Sequence, residues 1–321
     1  LVAPLSSVAG IKACVTGGAG FIGSHIVDGL IGKGWEVFIL DDFSTGKRTN
    51  LNPRTRLYEM DIRSPEVEKV FGQEKPEYVF HLAAQIDVRK AALDPEFDAG
   101  VNVLGTLNLL KAAADVGVKK LVFSSTGGAI YGEVEKGLAN EESLPLPGSP
   151  YGISKLAAEH YIRFFGENHG LKYTILRYGN VYGPRQDPLG EAGVVAIFSQ
   201  AMLKEQPIVL YGQGKMERDY VYVGDVVEAN LLTLGGGGGK TFNIGTGKAT
   251  PVNGLFAVMK RLSGYGPSPK LEERRPGELW RSCLDCSKAE RELGWRAGTD
   301  LASGLDKTLA WFKEGKNKSD G

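Results

Sequence analysis

Val15-Thr16-Gly17-Gly18-Ala19-Gly20-Phe21-Ile22-Gly23 is the stretch that decides how this chain folds. An apolar, β-rich run, Ile11 to Val15, precedes it. A segment with helical periodicity, Phe21 to Ile31, follows. The glycines fit Gly-x-Gly-x-x-Gly through Gly18, Gly20 and Gly23, and Gly-x-x-Gly-x-x-Gly through Gly17, Gly20 and Gly23. Both registers serve the same physics. Glycine permits a tight turn, lets backbone approach a pyrophosphate and lets the helix pack on the strand. A pyrophosphate there meets exposed N–H groups and the positive end of the helix.

A carboxylate follows where such a site needs one. Asp41 ends the second expected strand, 18 residues after Gly23. It can accept hydrogen bonds from a ribose 2′-hydroxyl and would repel a 2′-phosphate, which favours NAD over NADP. Lys47 and Arg48 follow closely and are cations that could tolerate a phosphate. Asp61, between the expected strands Trp35 to Leu40 and Tyr78 to Leu82, is a candidate for the adenine amino group.

Outward from this unit, strands and helices alternate. Strands are expected at Trp35 to Leu40, Tyr78 to Leu82, Lys120 to Phe123 and Tyr173 to Leu176. Helices are expected at Val101 to Val116 and Tyr151 to Asn168. Apolar strands alternating with helices predict a parallel sheet covered on both faces. After Asn180 the elements shorten and Gly and Pro become frequent. Gly235 to Gly239 reads as a flexible surface connection between a helix, Asp225 to Leu234, and a strand, Phe242 to Ile244. A last helix is expected at Leu301 to Phe312.

Composition narrows the class. The chain has 44 glycines in 321 residues, roughly twice ordinary usage. It has no Gly-X-Y period, and its 42% hydrophobic content is too high for disorder. The glycines therefore point to turns and close backbone approach. Thirty-eight basic residues balance 38 acidic ones, which gives no reason to expect nucleic acid or a membrane surface as partner. No apolar run reaches the ~18 residues of a membrane span. Leu1 to Gly10 lacks the basic start and apolar core of a signal peptide. Three cysteines, Cys14, Cys283 and Cys286, make no disulfide framework, so a cytoplasmic enzyme is expected. The Cys283-x-x-Cys286 pair has no second pair or histidine cluster to complete a metal site, so it is read as structural and no metal is expected. His25 and His81 are likewise read as structural.

Chemistry enters with Tyr151-Gly152-Ile153-Ser154-Lys155, at the start of a helix. Tyr151 and Lys155 stand four residues apart and share a helical face. A free tyrosine titrates near ~10 and is a poor base at neutral pH. A neighbouring ammonium and a nicotinamide cation would stabilise its phenolate. Tyr151 could then accept a proton from a substrate hydroxyl. Phe123-Ser124-Ser125-Thr126 lies at a strand end, where open parallel sheets place ligands, and a hydroxyl there can bond the same substrate oxygen.

With these residues in hand, the chain resembles the extended short-chain dehydrogenase/reductases. Within them it is most similar to the UDP-glucose 4-epimerase-like members of the NAD-dependent epimerase/dehydratase family. The matching pieces include Thr16–Gly23 with Ser24-His25, His81-Leu82-Ala83-Ala84-Gln85, Asn102 in Val101–Gly105, and Ser124–Thr126. Tyr151–Lys155, Arg177-Tyr178-Gly179-Asn180, Arg218-Asp219-Tyr220-Val221-Tyr222-Val223, Asn243-Ile244-Gly245 and Arg275-Pro276-Gly277-Glu278 complete them. The resemblance implies an α/β fold, a Rossmann-like doubly wound parallel sheet with a smaller C-terminal α/β lobe for substrate. Residues 1–180 would form the NAD-binding domain, with segments near 219–246 returning to it. Residues 181–321 would mainly hold the nucleotide sugar.

The resemblance also implies roles. Tyr151 is the base, Lys155 orients the nicotinamide ribose, and Thr126 takes the hydroxyl position. Gly17, Gly20, Phe21 and Ile22 contact the NAD pyrophosphate, and Asp41 the adenosine ribose. Asp61 and Ile62 flank the adenine. Leu82, Ala83, Ala84, Asn102, Ser124 and Tyr178 line the rest of the cofactor path. Asn180, Arg218 and Arg275 hold the substrate phosphates. Glu278 holds the ribose and stands where the family more often has Asp. Tyr211 stacks on the uracil. Gly127 and Gly128 leave space near the sugar. Ser282 occupies a gate position where a bulkier residue would exclude N-acetyl groups.

The implied reaction is C4 epimerisation of a UDP-hexose, with transient oxidation to a 4-keto sugar and return of the hydride to the opposite face. UDP-glucose and UDP-GlcNAc are both expected as substrates. A 4,6-dehydratase or a decarboxylase is the alternative within the family, but those relatives place acidic residues after the threonine, where this chain has Gly127 and Gly128. A non-catalytic NAD-binding protein is the alternative outside it, and such proteins often lack the Tyr–Lys pair. A homodimer is expected from the family.

Overall fold

The computed structural model describes residues 10–189, 193–275 and 277–319. Pro276 of the Arg275–Glu278 motif lies outside these residues, as does residues 1–9 of the stretch read for a signal peptide.

Strands β1 (Lys12–Thr16), β2 (Glu36–Asp41), β3 (Arg56–Glu59), β4 (Tyr78–His81), β5 (Lys120–Thr126) and β6 (Tyr173–Tyr178) follow in chain order. After them come β7 (Asn180–Tyr182), β8 (Val209–Tyr211), β9 (Glu217–Tyr222), β10 (Lys240–Ile244), β11 (Ala249–Pro251), β12 (Lys270–Glu272) and β13 (Arg281–Ser282). The main sheet has seven strands in the order β10-β6-β5-β4-β1-β2-β3. Every pairing in it is parallel. The chain runs outward from β1 to β3 and then returns to β4 beside β1. That reversal opens a crevice at the carboxyl ends of β1 and β4, the place where open α/β sheets bind ligands.

Both faces of the sheet are covered because its strands are apolar on both sides. Helices Phe21–Gly32 and Val223–Leu232 bury Ile26, Val27, Leu30 and Val226 against Val15, Ile39 and Phe80 on one face. Helices Glu66–Glu74, Thr106–Asp115 and Pro150–His169 bury Val70, Leu109 and Ile162 against Cys14, Val79 and Phe123 on the other. The alternation read from the sequence and the doubly wound architecture are thus the structure's own.

The C-terminal lobe is built on β9, which pairs with β11, β13 and β7. Strands β8 and β12 form a separate parallel pair. Helices Val194–Leu203, Val252–Ser263 and Leu301–Ser319 pack there around Phe198, Phe256, Met259 and Leu305.

Two segments depart from expectation. The single helix expected at Val101 to Val116 is a π-helical turn, Gly100–Gly105, continued by the α-helix Thr106–Asp115. The wider turn carries Asn102, whose side chain reaches Gln85, Asp98 and Ser154. The five-glycine tract is anchored rather than slack. Gly239 N–H donates to Tyr173 O at 2.7 Å, and Thr174 Oγ1 donates to Gly237 O at 2.8 Å. The buried Lys120 ammonium also donates to Thr233 O and Gly236 O. Residue type in that tract records turn geometry, with φ of +72° at Gly237 and Gly239.

Candidate active site

The cradle between β1 and helix Phe21–Gly32 shows why its glycines are there. Gly17 has φ +69°, and a Cβ on it would lie 2.8 Å from Ala83 N. A Cβ on Gly23 would lie 2.1 Å from Gly17 O. Gly20 caps the helix without a side-chain hydrogen bond, and no acidic residue occupies the first turn. Backbone amides and the positive helix end are what the chain presents here.

Asp41 ends β2 with both oxygens oriented. Oδ2 accepts from Ala19 N–H at 2.8 Å and Oδ1 from Phe43 N–H at 2.9 Å. Burial pushes its pKa up, and those two bonds work against the rise. Each oxygen keeps acceptor capacity for a ribose hydroxyl. The two cations after it are engaged elsewhere: Lys47 pairs with Asp187 at 3.2 Å and Arg48 with Glu59 at 2.5 Å. Asp61 is gripped by Arg63, which holds its carboxyl below the usual range. Ile62 lies buried under the π turn, where a Cβ on Gly105 would come within 2.7 Å of it.

A wire of hydrogen bonds fixes the ends of β1 and β4. Thr16 Oγ1 accepts from Leu82 N–H and Ala83 N–H, each at 3.1 Å. Its own proton therefore goes to His81 Nδ1, 2.7 Å away. His81 Nε2–H then donates to Thr106 Oγ1 at 2.9 Å, and Thr106 donates to Asn102 O at 2.6 Å. Burial, with the nearby Lys155 ammonium, pushes the His81 pKa down to about 3, so the ring stays neutral. Thus Leu82, Ala83 and Asn102 share one scaffold. His25 is also structural, with Nε2 at 2.9 Å from Pro184 O.

Helix Pro150–His169 starts where its sequence says it should. Ser149 Oγ caps Gly152 N–H at 3.2 Å, Pro150 takes the first turn, and Gly170 ends the helix at φ +69°. Tyr151 is half-buried and Lys155 is buried one turn on. Burial pushes the Lys155 pKa down to about 7, against the pull of Glu159 and Asp98. Its ammonium lies 4.1 Å from the centroid of the Phe123 ring.

Strand alternation sorts the three hydroxyls of β5. Ser124 Oγ lies 3.0 Å from Tyr178 Oη, which also bonds Asn230. Ser125 Oγ donates to Glu159 Oε1 at 2.7 Å on the other face. Thr126, last on the strand, caps Ala129 N–H at 3.2 Å. The two glycines that follow differ. A Cβ on Gly128 would lie 3.8 Å from Thr126 Oγ1, 3.8 Å from Asn180 Oδ1 and 4.0 Å from Ser282 Oγ, so these three side chains surround one space. A Cβ on Gly127 would meet the buried Leu284 side chain at 2.6 Å. A side chain on Gly127 would therefore point into packed Leu284, whereas one on Gly128 would point into the space between Thr126, Asn180 and Ser282.

In the lobe, Arg218 Nη2–H donates to Leu279 O at 2.9 Å and Nη1–H to Glu217 O at 2.8 Å. Burial lowers its pKa, opposed by Tyr220, Glu278 and Glu133. The Arg275 guanidinium covers the Tyr211 ring at 3.6 Å from its centroid. Glu278 Oε2 and Tyr220 Oη are buried with no hydrogen-bond partner among the described residues. Orphaned polar atoms beside an arginine suit a polar ligand. Cys283 and Cys286 are free thiols, and no group of three metal-ligating side chains occurs among the described residues.

Glu159 escaped the sequence reading. It is fully buried, holds Ser125, and makes two hydrogen bonds to Arg177 at 2.9 and 2.7 Å. Its place one turn beyond Lys155 on a helix was the available signal.

A doubly wound sheet, a glycine cradle with an acidic residue at the next strand end, and a Tyr–Lys helix beside a strand-end threonine define a dinucleotide-dependent enzyme of the short-chain dehydrogenase/reductase type. The model of the NAD dependent epimerase/dehydratase family matches residues 13–245, and the chain belongs to that family. It is similar to the UDP-glucose 4-epimerase of Thermotoga maritima, solved with UDP-glucose. The two share 49% identity at a TM-score of 0.94, over 95% of this chain and 100% of that one. It is also similar to the Thermus thermophilus UDP-glucose 4-epimerase solved with NAD. That match has 46% identity and a TM-score of 0.90, over 94% and 99% of the two chains. The UDP-N-acetylglucosamine 4-epimerase of Methanobrevibacter ruminantium matches at 34% identity and TM-score 0.91, over 96% and 100%.

Proposed function

We propose that this protein inverts C4 of a UDP-hexose, interconverting UDP-glucose and UDP-galactose, with NAD as its resident cofactor. The observation that carries the reading is the space bounded by Thr126, Gly128, Asn180 and Ser282, next to the Tyr151–Lys155 helix. The cradle fits NAD: Gly17 and Gly23 leave no room for a Cβ, and Asp41 is oriented for a ribose. Bound in this cradle, NAD would supply the hydride acceptor and donor for C4, with the sugar passing through a 4-keto form.

The chain's own residues supply the rest. Tyr151 takes the proton of the 4-hydroxyl and later gives it back. The Lys155 ammonium stabilises its phenolate, and Thr126 hydrogen-bonds the same oxygen. Asn180, Arg218, Arg275 and Glu278 anchor the nucleotide while Tyr211 borders the base. Affinity held in the nucleotide leaves the sugar free to turn over. Gly127 and Gly128 directly follow Thr126 in place of an acidic pair, so the proton chemistry of a dehydratase lacks its groups there.

Incubation with UDP-glucose, UDP-GlcNAc, UDP-glucuronate and dTDP-glucose, followed by product identification, tests the reading. Galactose-configured product is expected from UDP-glucose. Tyr151→Phe is expected to lower turnover by ~10²–10⁴-fold while NAD stays bound. Unchanged turnover in that variant removes Tyr151 from the mechanism. Ser282 is small and buried, which supports UDP-GlcNAc as a second substrate, and no conversion of it would refute that part.

Two further parts belong to the proposal. Leu104, Ile153, Tyr161 and Phe164 leave apolar surface exposed at and beside the helices that cover one sheet face, which suits a homodimer. Three free thiols suit the cytoplasm, and no described helix is long and apolar enough to cross a membrane.

A further inference from the structure

Asp219 carries no role so far, yet it is a carboxylate only 1% exposed at the junction of three segments. Oδ1 accepts from Thr246 N–H at 2.7 Å and from Thr246 Oγ1 at 2.6 Å. Oδ2 accepts from Gly247 N–H at 3.1 Å and Leu284 N–H at 3.3 Å, with Cys283 Sγ at 3.8 Å. The backbone has made room for it. A Cβ on Gly245 would lie 2.5 Å from Oδ2, and one on Gly179 would lie 2.8 Å from Asp219 O.

The neighbours of these contacts matter most. Gly179 precedes Asn180, Asp219 follows Arg218, and Cys283 follows Ser282. Ser282 is the register partner of Arg218 across β13 and β9. Each residue expected to line the nucleotide sugar on this side is therefore one peptide away from an atom packed on Asp219. Leu284, held by its N–H, also packs against Gly127, the residue after Thr126.

We propose that Asp219 is a positioning residue of the sugar site. Its carboxylate sets the spacing of Asn180, Arg218 and Ser282, and through that spacing the discrimination between a hexose and its N-acetylated form. The inference rests on the UDP-sugar reading above. An ionised carboxylate is acceptor-only, which is what four converging N–H and O–H donors require. Asparagine is isosteric but turns a donor toward either the Thr246 pair or the Gly247–Leu284 pair, and leaves those donors unmet.

The test is calorimetric binding of UDP, UDP-glucose and UDP-GlcNAc to the NAD-loaded protein, with melting curves alongside. Asp219→Asn is expected to weaken UDP binding by ~3-fold or more, because Asn180 and Arg218 hold its phosphates, and in addition to change the UDP-glucose to UDP-GlcNAc preference by ~5-fold or more, as an unmet buried donor pair implies. Thr246→Val removes one donor and is expected to move the preference the same way by ~2-fold. If Asp219→Asn does not fold, Thr246→Val decides alone. Variants that melt lower but keep the parent's sugar preference overturn the positioning role and make Asp219 merely structural. A parent that binds none of the three ligands refutes the UDP-sugar reading, and this inference with it.

Discussion

His81 is a buried ring between two threonine hydroxyls, with an ammonium nearby. Both neighbours at its nitrogens are committed: Nδ1 accepts and Nε2–H donates. Protonation would place a second donor against Thr16, whose hydroxyl already accepts two amides. The folded pKa of about 3 lies below the ordinary 6.5. The unfolded chain therefore binds more protons between these values, and stability falls as pH drops from 6.5 toward 3. His81→Gln is expected to flatten that stretch of the stability curve, measured by denaturant unfolding at a series of pH values. An unaltered slope would show that His81 does not govern it. Glu74 adds a lower window. Burial opposes its charge, but Tyr58, Lys12 and Arg56 outweigh that and hold its carboxyl at about 2. Its contribution is present above 4.5 and lost as pH falls toward 2.

Among the elements, the turn from β1 into helix Phe21–Gly32 is the most sensitive. Gly17→Ala meets both a left-handed φ and backbone at 2.8 Å, so the loop carrying Ala83 must move. The expected result is a large loss of NAD that co-purifies with the protein, read from the absorbance of a denatured extract. Full NAD content in Gly17→Ala would count against the cradle. Helix Pro150–His169 carries a second test. Glu159→Gln leaves the buried Arg177 guanidinium without its carboxylate and is expected to destabilise by about 3 kcal/mol or more, seen in chemical unfolding. The same helix shows what could be read ahead. Ser149, Pro150 and Gly170 are local signals that mark its ends correctly. The π turn at Gly100–Gly105 has no such signal, because its cause is the tertiary pull on Asn102 from Gln85 and Ser154.

At the scale of the whole molecule, the proposed homodimer has a direct test. Introducing charge into the exposed apolar helix surface, as Ile153→Glu with Phe164→Glu, is expected to yield a monomer with an unchanged melting profile at low concentration. Light scattering would check it, and an unaltered mass would place any interface elsewhere. The glycine cradle, Asp41 at its strand end and the Tyr151–Lys155 spacing were legible in the chain because each depends on residues near one another in sequence. So was the alternation that makes a parallel sheet with both faces covered. What tertiary structure alone decided depends on partners far apart in sequence. It engaged Ser124 with Tyr178 and Ser125 with Glu159, and left Thr126 beside the space near Asn180 and Ser282. It separated Gly128, which borders that space, from Gly127, which faces Leu284. It bound the five-glycine tract to Lys120 and Thr174, and gathered three distant segments on Asp219. Local patterns specify backbone conformation and burial period, whereas the partner of a buried polar group is chosen only when the packed chain brings donors and acceptors together.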